Sequence, residues 1–261
     1  MRCINFTGSS ATGRILAERA GRALKRCVLE LGGYNPLIVL AGADLDYAVE
    51  ATAFAAFFHS GQICMNARKV LVEQSVYDTF VDRLTARAQT LASGDPALPG
   101  TVIGPLSTPA ARDRVAREVD EAVAAGAKVL AGGSADGPCY LPTVLADVPA
   151  GARIGSEETF GPVLVAQPVA NAEEAVAIAN STRYGLSAGL ITGDNQRGFA
   201  LARRIEAGVV HVNDQTIAGE PQLPLGGVKD SGWGRSGPES MSDFTELQWI
   251  TTRDGTGAYP I

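Results

Sequence analysis

The stretch Cys3-Ile4-Asn5-Phe6-Thr7-Gly8-Ser9-Ser10-Ala11-Thr12-Gly13 begins as an apolar, strand-like run and breaks at a Gly/Ser turn. From Ala11 to Arg26 the apolar residues Ile15, Leu16, Ala20, Ala23 and Leu24 recur at helical spacing, with Ser9 or Ser10 as the N-cap. Cys27 to Leu31 reads as a second strand. Strand, glycine turn, helix and strand in this order form the local unit of a parallel nucleotide-binding sheet, and a turn at a helix N-terminus suits a phosphate. Gly8 to Gly13 has only part of a Gly-x-Gly-x-x-Gly spacing, so a plain turn and a phosphate loop both stand at this point. One such unit cannot bury a sheet on both faces. Either other parts of the chain complete the sheet, or an N-terminal portion lies outside it.

Working outward, the alternation continues. Strands are expected at Leu37 to Leu40, Val70 to Glu73, Lys128 to Ala131, Tyr140 to Leu145, Val163 to Val169, Ala188 to Thr192 and Val209 to Asn213. Helices are expected from Asp44 to about Ser60, from a Ser75 cap to Leu91, from Pro109 to Ala125, from Glu173 to Ser181 and from Asn195 to Glu206. A glycine-rich loop spans about 219 to 237, and Phe244 to Thr252 alternates as one exposed strand. Strands and helices in turn predict an α/β fold with a mainly parallel sheet.

Composition bounds the function. A net charge of −6 without a basic block argues against nucleic acid and anionic membranes as partners. Apolar runs are broken well short of about 18 residues, so no transmembrane span is expected. With no leader pattern, a cytoplasmic location is the default. Cys3, Cys27, Cys64 and Cys139 lack metal-ligand spacing, and His59 and His211 form no His-x-x-x-His pattern, so no metal site is expected.

The run Phe57-Phe58-His59-Ser60-Gly61-Gln62-Ile63-Cys64-Met65-Asn66 leaves a helix and heads for a new apolar strand. A thiol at that junction can reach a cleft, where free backbone N–H groups can bind an anion. A buried, inert cysteine is the competing reading. Glu30, at the end of the apolar run Val28-Leu29, reads either as a solvated strand-end carboxylate or as a base whose pKa burial raises. His59 and Met65 read as packing residues.

Four separated stretches decide between these readings: Phe6-Thr7-Gly8-Ser9, Glu30-Leu31-Gly32-Gly33, Gly61-Gln62-Ile63-Cys64 and Glu157-Glu158-Thr159-Phe160-Gly161-Pro162. Their order and spacing resemble the NAD(P)-dependent aldehyde dehydrogenase family. Gly94-Asp95-Pro96, Gly104-Pro105-Leu106 and Pro224-Leu225-Gly226-Gly227-Val228-Lys229-Asp230-Ser231-Gly232 extend the resemblance over essentially the whole chain.

The resemblance is to the C-terminal, catalytic half of such an enzyme. It implies a remnant of the dinucleotide-binding domain over 1–33, a parallel-sheet catalytic domain over 34–230, and an arm with an oligomerisation strand over 231–261. It implies Cys64 as the nucleophile that forms a thiohemiacetal and then a thioester, and Glu30 as the general base. Glu158 would accept hydrogen bonds from the nicotinamide ribose, Phe160 would pack near the nicotinamide, Ser9 within Gly8 to Gly13 would contact the pyrophosphate, and Leu31 and Gly32 would present backbone beside the ring. NAD or NADP is the implied cofactor and an aldehyde the substrate. Phe57 to Lys69 and the tail from Phe244 look most like members acting on benzaldehyde- or vanillin-type aldehydes. Tyr34 replaces a common lysine and Leu225 a common phenylalanine.

The resemblance also implies an oligomer, or association with an N-terminal half whose absence would expose apolar sheet surface and lower solubility. An inactive truncated fragment and a residual thiol-dependent esterase are the alternatives.

Overall fold

Where a strand is covered on both faces, its sequence becomes a continuous apolar run rather than an alternating one. Leu37-Ile38-Val39 and Val70-Leu71-Val72 are such runs, and both are fully buried. The computed structural model describes residues 1–238 and 240–259. It opens with strand β1 (Cys3–Thr7), helix α1 (Ser10–Arg22) and strand β2 (Arg26–Glu30). Strand β3 (Leu37–Val39), helix α2 (Leu45–Phe57), strand β4 (Lys69–Glu73) and helix α3 (Gln74–Gln89) follow. Helix α4 (Pro109–Ala124) precedes four short strands, β5 (Lys128–Ala131), β6 (Ala135–Asp136), β7 (Cys139–Tyr140) and β8 (Thr143–Ala146). Next come β9 (Val163–Val169), α5 (Ala172–Asn180), β10 (Tyr184–Gly185), β11 (Ser187–Ile191), α6 (Asn195–Ala202) and β12 (Val209–Val212). Strands β13 (Val228–Lys229) and β14 (Gly232–Trp233) and helix α7 (Ser240–Phe244) complete the series.

Seven strands form the main sheet in the order β12-β11-β3-β4-β9-β8-β5, parallel except for β5 at one edge. Leu37, Val39, Val70, Val72, Leu164 and Ala166 pack with Phe57 of α2 and with Phe80 and Leu84 of α3. Their neighbours Ile38, Leu40, Leu71 and Leu190 point the other way, onto α5 and α6. Helix α4 covers Leu145, Val163 and Val165 with Val115 and Val119. A second sheet has three strands: β2 pairs in parallel with β1 and antiparallel with β14. No helix of the described residues is long and apolar enough to cross a membrane.

Several boundaries differ from the sequence reading. Helix α1 stops at Arg22 rather than Arg26: Leu24 takes a left-handed φ of 52° and Lys25 N–H turns back to the Ala20 carbonyl at 2.9 Å. Helix α2 ends at Phe57 rather than Ser60, because His59 and Ser60 are left-handed. Ser75 does not cap α3, which begins one residue earlier at Gln74. The expected strand Tyr140 to Leu145 is split at Leu141-Pro142, where proline has no N–H for a ladder. Helix α6 ends at Ala202 instead of Glu206.

The Phe244–Thr252 strand is also corrected: helix α7 ends at Phe244, and residues 245–252 form no strand within the chain. A strand needs a ladder partner, and no described strand lies alongside. Glu246 in this segment is instead paired with Arg2 at 2.6 Å.

Candidate active site

The loop after α2 is shaped by its own side chains. Asn66 Nδ2 donates to the Ala55 and Phe58 carbonyls at 2.8 and 3.2 Å, while its Oδ1 accepts from Ile63 N–H at 2.6 Å. Asn35 Nδ2 donates to the carbonyls of Cys64 and Asn66 at 2.7 and 2.8 Å, and Thr216 Oγ1 donates to the Met65 carbonyl at 2.7 Å. The backbone on both sides of Cys64 is therefore pinned, and the thiol is left half-buried at the turn. Gly61, at φ 67°, lies against the Gly161 carbonyl where a side chain would not fit.

Arg68 ties this loop to the one that carries Glu158. Its side chain is fully buried, with Nη1 donating to the Gly161 carbonyl at 2.9 Å and Nη2 to those of Gly61 and Ile63 at 2.7 and 3.3 Å. Burial pushes the guanidinium down to about 10, against the opposing pull of Glu158. Its Nε is buried without a partner.

Two carboxylates flank the thiol. Glu158 Oε1 accepts from Gly33 N–H at 3.3 Å, and the carboxylate fills the space where a side chain on Gly32 would stand. Its pKa is raised by burial, with Arg68 pulling it back. Glu30, at the end of β2, is raised by burial to about 7, with Arg235 opposing, and its buried Oε1 has no hydrogen-bond partner. Burial pushes the Cys64 thiol up, and the charges of Glu158 and Glu30 push it further; the N–H groups of Cys64 and Met65 act the other way. Burial and the two carboxylates thus favour the protonated thiol, and the Glu30 carboxyl is itself raised to about 7.

The residues expected to face a dinucleotide meet the same seam. Gly8 N–H donates to the Glu30 carbonyl at 3.1 Å, and Ser9 caps α1 by accepting from Thr12 N–H at 3.3 Å. Gly13 is buried within α1 against Leu31, whose N–H donates to the Ser231 carbonyl at 3.0 Å. Ser231 Oγ donates to the Gly32 carbonyl at 2.6 Å. Gly8, Ser9 and Phe160 are exposed. An open helix N-terminus, a carboxylate lodged over side-chain-free Gly32 and an exposed ring suit a dinucleotide laid across the seam.

The structure thus brings Cys64, Glu30, Glu158 and Gly32 together. Met65 is buried as expected, but His59 is exposed, because its left-handed turn sends it outward. Tyr34 is buried, with its hydroxyl donating to the Ile154 carbonyl at 3.1 Å. Asn35, Asn66, Arg68 and Ser231 were not legible in the sequence. Arg68 leaves no signal there, since its partners are backbone carbonyls. Among the described residues no cluster of His, Cys, Asp or Glu could hold a metal ion.

Residues 1–250 match the profile of the aldehyde dehydrogenase family. The chain is 45% identical over its whole length to vanillin dehydrogenase of Pseudomonas fluorescens, of which it covers 54%. Among solved structures it superposes on a salicylaldehyde dehydrogenase from Pseudomonas putida G7 complexed with salicylaldehyde, with a TM-score of 0.96 and 41% identity over 100% of this chain and 54% of that one. An NAD-dependent aldehyde dehydrogenase from Sinorhizobium meliloti gives a TM-score of 0.95 at 37% identity, over 100% of this chain and 52% of that one. The chain spans about half the length of the curated relatives it matches.

Proposed function

The chain belongs to the aldehyde dehydrogenase family, and from that premise we propose that it takes part in oxidising an aromatic aldehyde to its acid with NAD or NADP, through a thiohemiacetal and a thioester on Cys64. The observation that carries this reading is the half-buried thiol flanked by Glu30 and Glu158, one of which titrates at about 7. Because burial keeps the thiol protonated, a base is required, and Glu30 is the carboxyl poised to take that proton near neutral pH. The thiolate then attacks the aldehyde carbon. The N–H groups of Cys64 and Met65, which favour charge on sulfur, are the donors this chain offers to the developing oxyanion.

When bound, the nicotinamide dinucleotide supplies the hydride acceptor. Glu158 would hold its ribose hydroxyls, Gly8 and Ser9 its pyrophosphate, and Leu31, Gly32 and Phe160 would bracket the ring. Glu30 first passes the thiol's proton to solvent; as a carboxylate again, it activates the water that hydrolyses the thioester. Phe54 and Phe58, stacked at 4.6 Å just before the nucleophile loop, offer an apolar platform for an aromatic substrate. Exposed Leu247, Trp249 and Ile250 and the edge strand β12 suit pairing with a second copy, and the exposed apolar residues beside β2 suit association with an N-terminal half.

The test is NADH formation from benzaldehyde and NAD by the chain, alone and mixed with the uncovered part of a relative, beside Cys64→Ala. Turnover that disappears in Cys64→Ala is the expected result; turnover indifferent to that change overturns the reading. A thiol esterase is the second reading, favoured because Cys64 and Glu30 suffice for acyl transfer without a dinucleotide. Ester hydrolysis lost in Cys64→Ala, with no NADH formed in either mixture, would select it.

A further inference from the structure

Strand β4 leaves the nucleophile loop at Arg68 and places Lys69 at a cavity of about 380 Å³, away from Cys64. Val165 and Gln167 of β9, Ile178 of α5 and Pro149 of the loop after β8 line it with Lys69. Lys69 Nζ donates to Gln167 Oε1 at 3.1 Å and stands 5.6 Å from the Tyr34 ring centroid. Among the described residues no carboxylate lies within ion-pair distance of it. The acids nearby are answered elsewhere: Asp147 at the rim pairs with Lys128 at 2.8 Å, and Glu157 pairs with Arg183 at 2.6 Å. Burial alone lowers the Lys69 pKa. The ammonium has already lost part of its water, so an incoming anion gains more from it than from an exposed lysine.

We propose that this cavity is a second ligand site, separate from the Cys64 centre, which takes an aromatic carboxylate with Lys69 as its charge partner and Val165, Ile178 and Pro149 as its apolar wall. The volume lies within the range of small-molecule sites. A carboxylate supplies the counter-charge that Lys69 lacks, since Asp147 of the lining is held by Lys128, and an aromatic ring fits the apolar side. The choice of acid rests on the proposed function, since an aromatic acid is the product of that reaction. Gly155 and Ser156 belong to the cavity lining and lead directly into Glu157-Glu158, so an occupant touches the stem of the loop that carries Glu158.

The experiment is calorimetric titration of the Cys64→Ala chain with benzoate, and with benzyl alcohol as the neutral analogue. Benzoate is expected to bind and benzyl alcohol to bind at least about tenfold more weakly, the difference of one charge-assisted contact. Lys69→Met should weaken benzoate about tenfold or more, Lys69→Arg should retain most of the affinity, and Ser181→Trp, at the exposed rim, should weaken it without touching the charge. Folding of each variant is checked by its thermal midpoint. Failure of benzoate to bind, unchanged affinity in Lys69→Met, or equal binding of benzyl alcohol overturns the inference. Because binding is read in a chain without the thiol, its failure leaves the dehydrogenase reading untouched, and failed turnover leaves the binding result standing.

Discussion

The seven-stranded sheet and the three-stranded sheet use the same local grammar of strand, turn and helix, yet they differ in how deeply they are buried. In the large sheet Leu37, Ile38, Val39, Val70, Leu71 and Val72 are all fully covered, between α2 and α3 on one face and α5 and α6 on the other. In the small sheet only Val28 and Leu29 of β2 and Gly232 of β14 are buried, while Ile15 and Leu24 beside it are exposed, the latter at 93%. Local propensity is enough to form the β1–α1–β2 unit, but cohesion comes from layers, and within this chain only the large sheet has both. The site lies at the seam: Cys64 is pinned by the large sheet's loops, whereas Glu30 and the Ser9 cap come from the small one.

The sharpest way to break this comparison is to remove one apolar side chain from each region. Phe80→Ala is expected to cost about 3–5 kcal/mol in urea unfolding, and Ile15→Ala less than about 0.5 kcal/mol. Equal losses would mean that the small sheet is as cohesive as the large one.

Arg68→Met tests the seam itself. It removes the donor of the Gly61 carbonyl, while the Gly161 and Ile63 carbonyls keep Val163 and Asn66 N–H, and is expected to cost about 2 kcal/mol in the same assay. A negligible loss would show that the guanidinium is not what joins the two loops.

Glu30 allows a pH test of smaller size. Its folded pKa of about 7 lies above the ordinary glutamate value of 4.5, so the folded state holds the proton more tightly. That contribution is fully present below about pH 4.5 and is lost as pH rises through about 7. Glu30→Gln should therefore be more stable than the parent near pH 8 by about 1 kcal/mol after allowance for partial exposure, seen as a higher thermal midpoint, with the gap closing near pH 4. A gap that widens on acidification would contradict the burial-raised carboxyl.

The smallest effect is expected at Ser9→Ala. Losing the cap of α1 should cost about 0.5–1 kcal/mol, confined to the small sheet's helix and visible as faster amide exchange there than in α2. Exchange that quickens equally in α2 would mean that the two regions unfold as one.

Legibility followed the range of the interactions. The β1–α1–β2 unit, the alternation of strands and helices, and the Glu30, Cys64 and Glu158 stretches were readable because each is a local pattern. Ser75 failed as a cap because Glu73, at the end of β4, leads straight into α3 while its carboxylate accepts from Ala41 N–H at 3.0 Å across the sheet. The Phe244–Thr252 run forms no strand within its own chain, because alternation describes a face but does not supply a ladder partner. Arg68 was missed because its partners are carbonyls of Gly61, Ile63 and Gly161, and backbone acceptors leave no trace in side-chain identity.

The amino-acid sequence by itself determined the fold class, the family resemblance and the identity of the thiol and carboxylates, because periodicity and motif spacing are properties of neighbours along the chain. Only the tertiary structure decided that Glu30 is buried enough to titrate at about 7, that Arg68 is an internal clamp and not a surface charge, and that Lys69 faces a cavity whose carboxylate, Asp147, is paired with Lys128. Solvent exposure and charge pairing depend on which distant segments pack together, and that is set by the closure of the sheets.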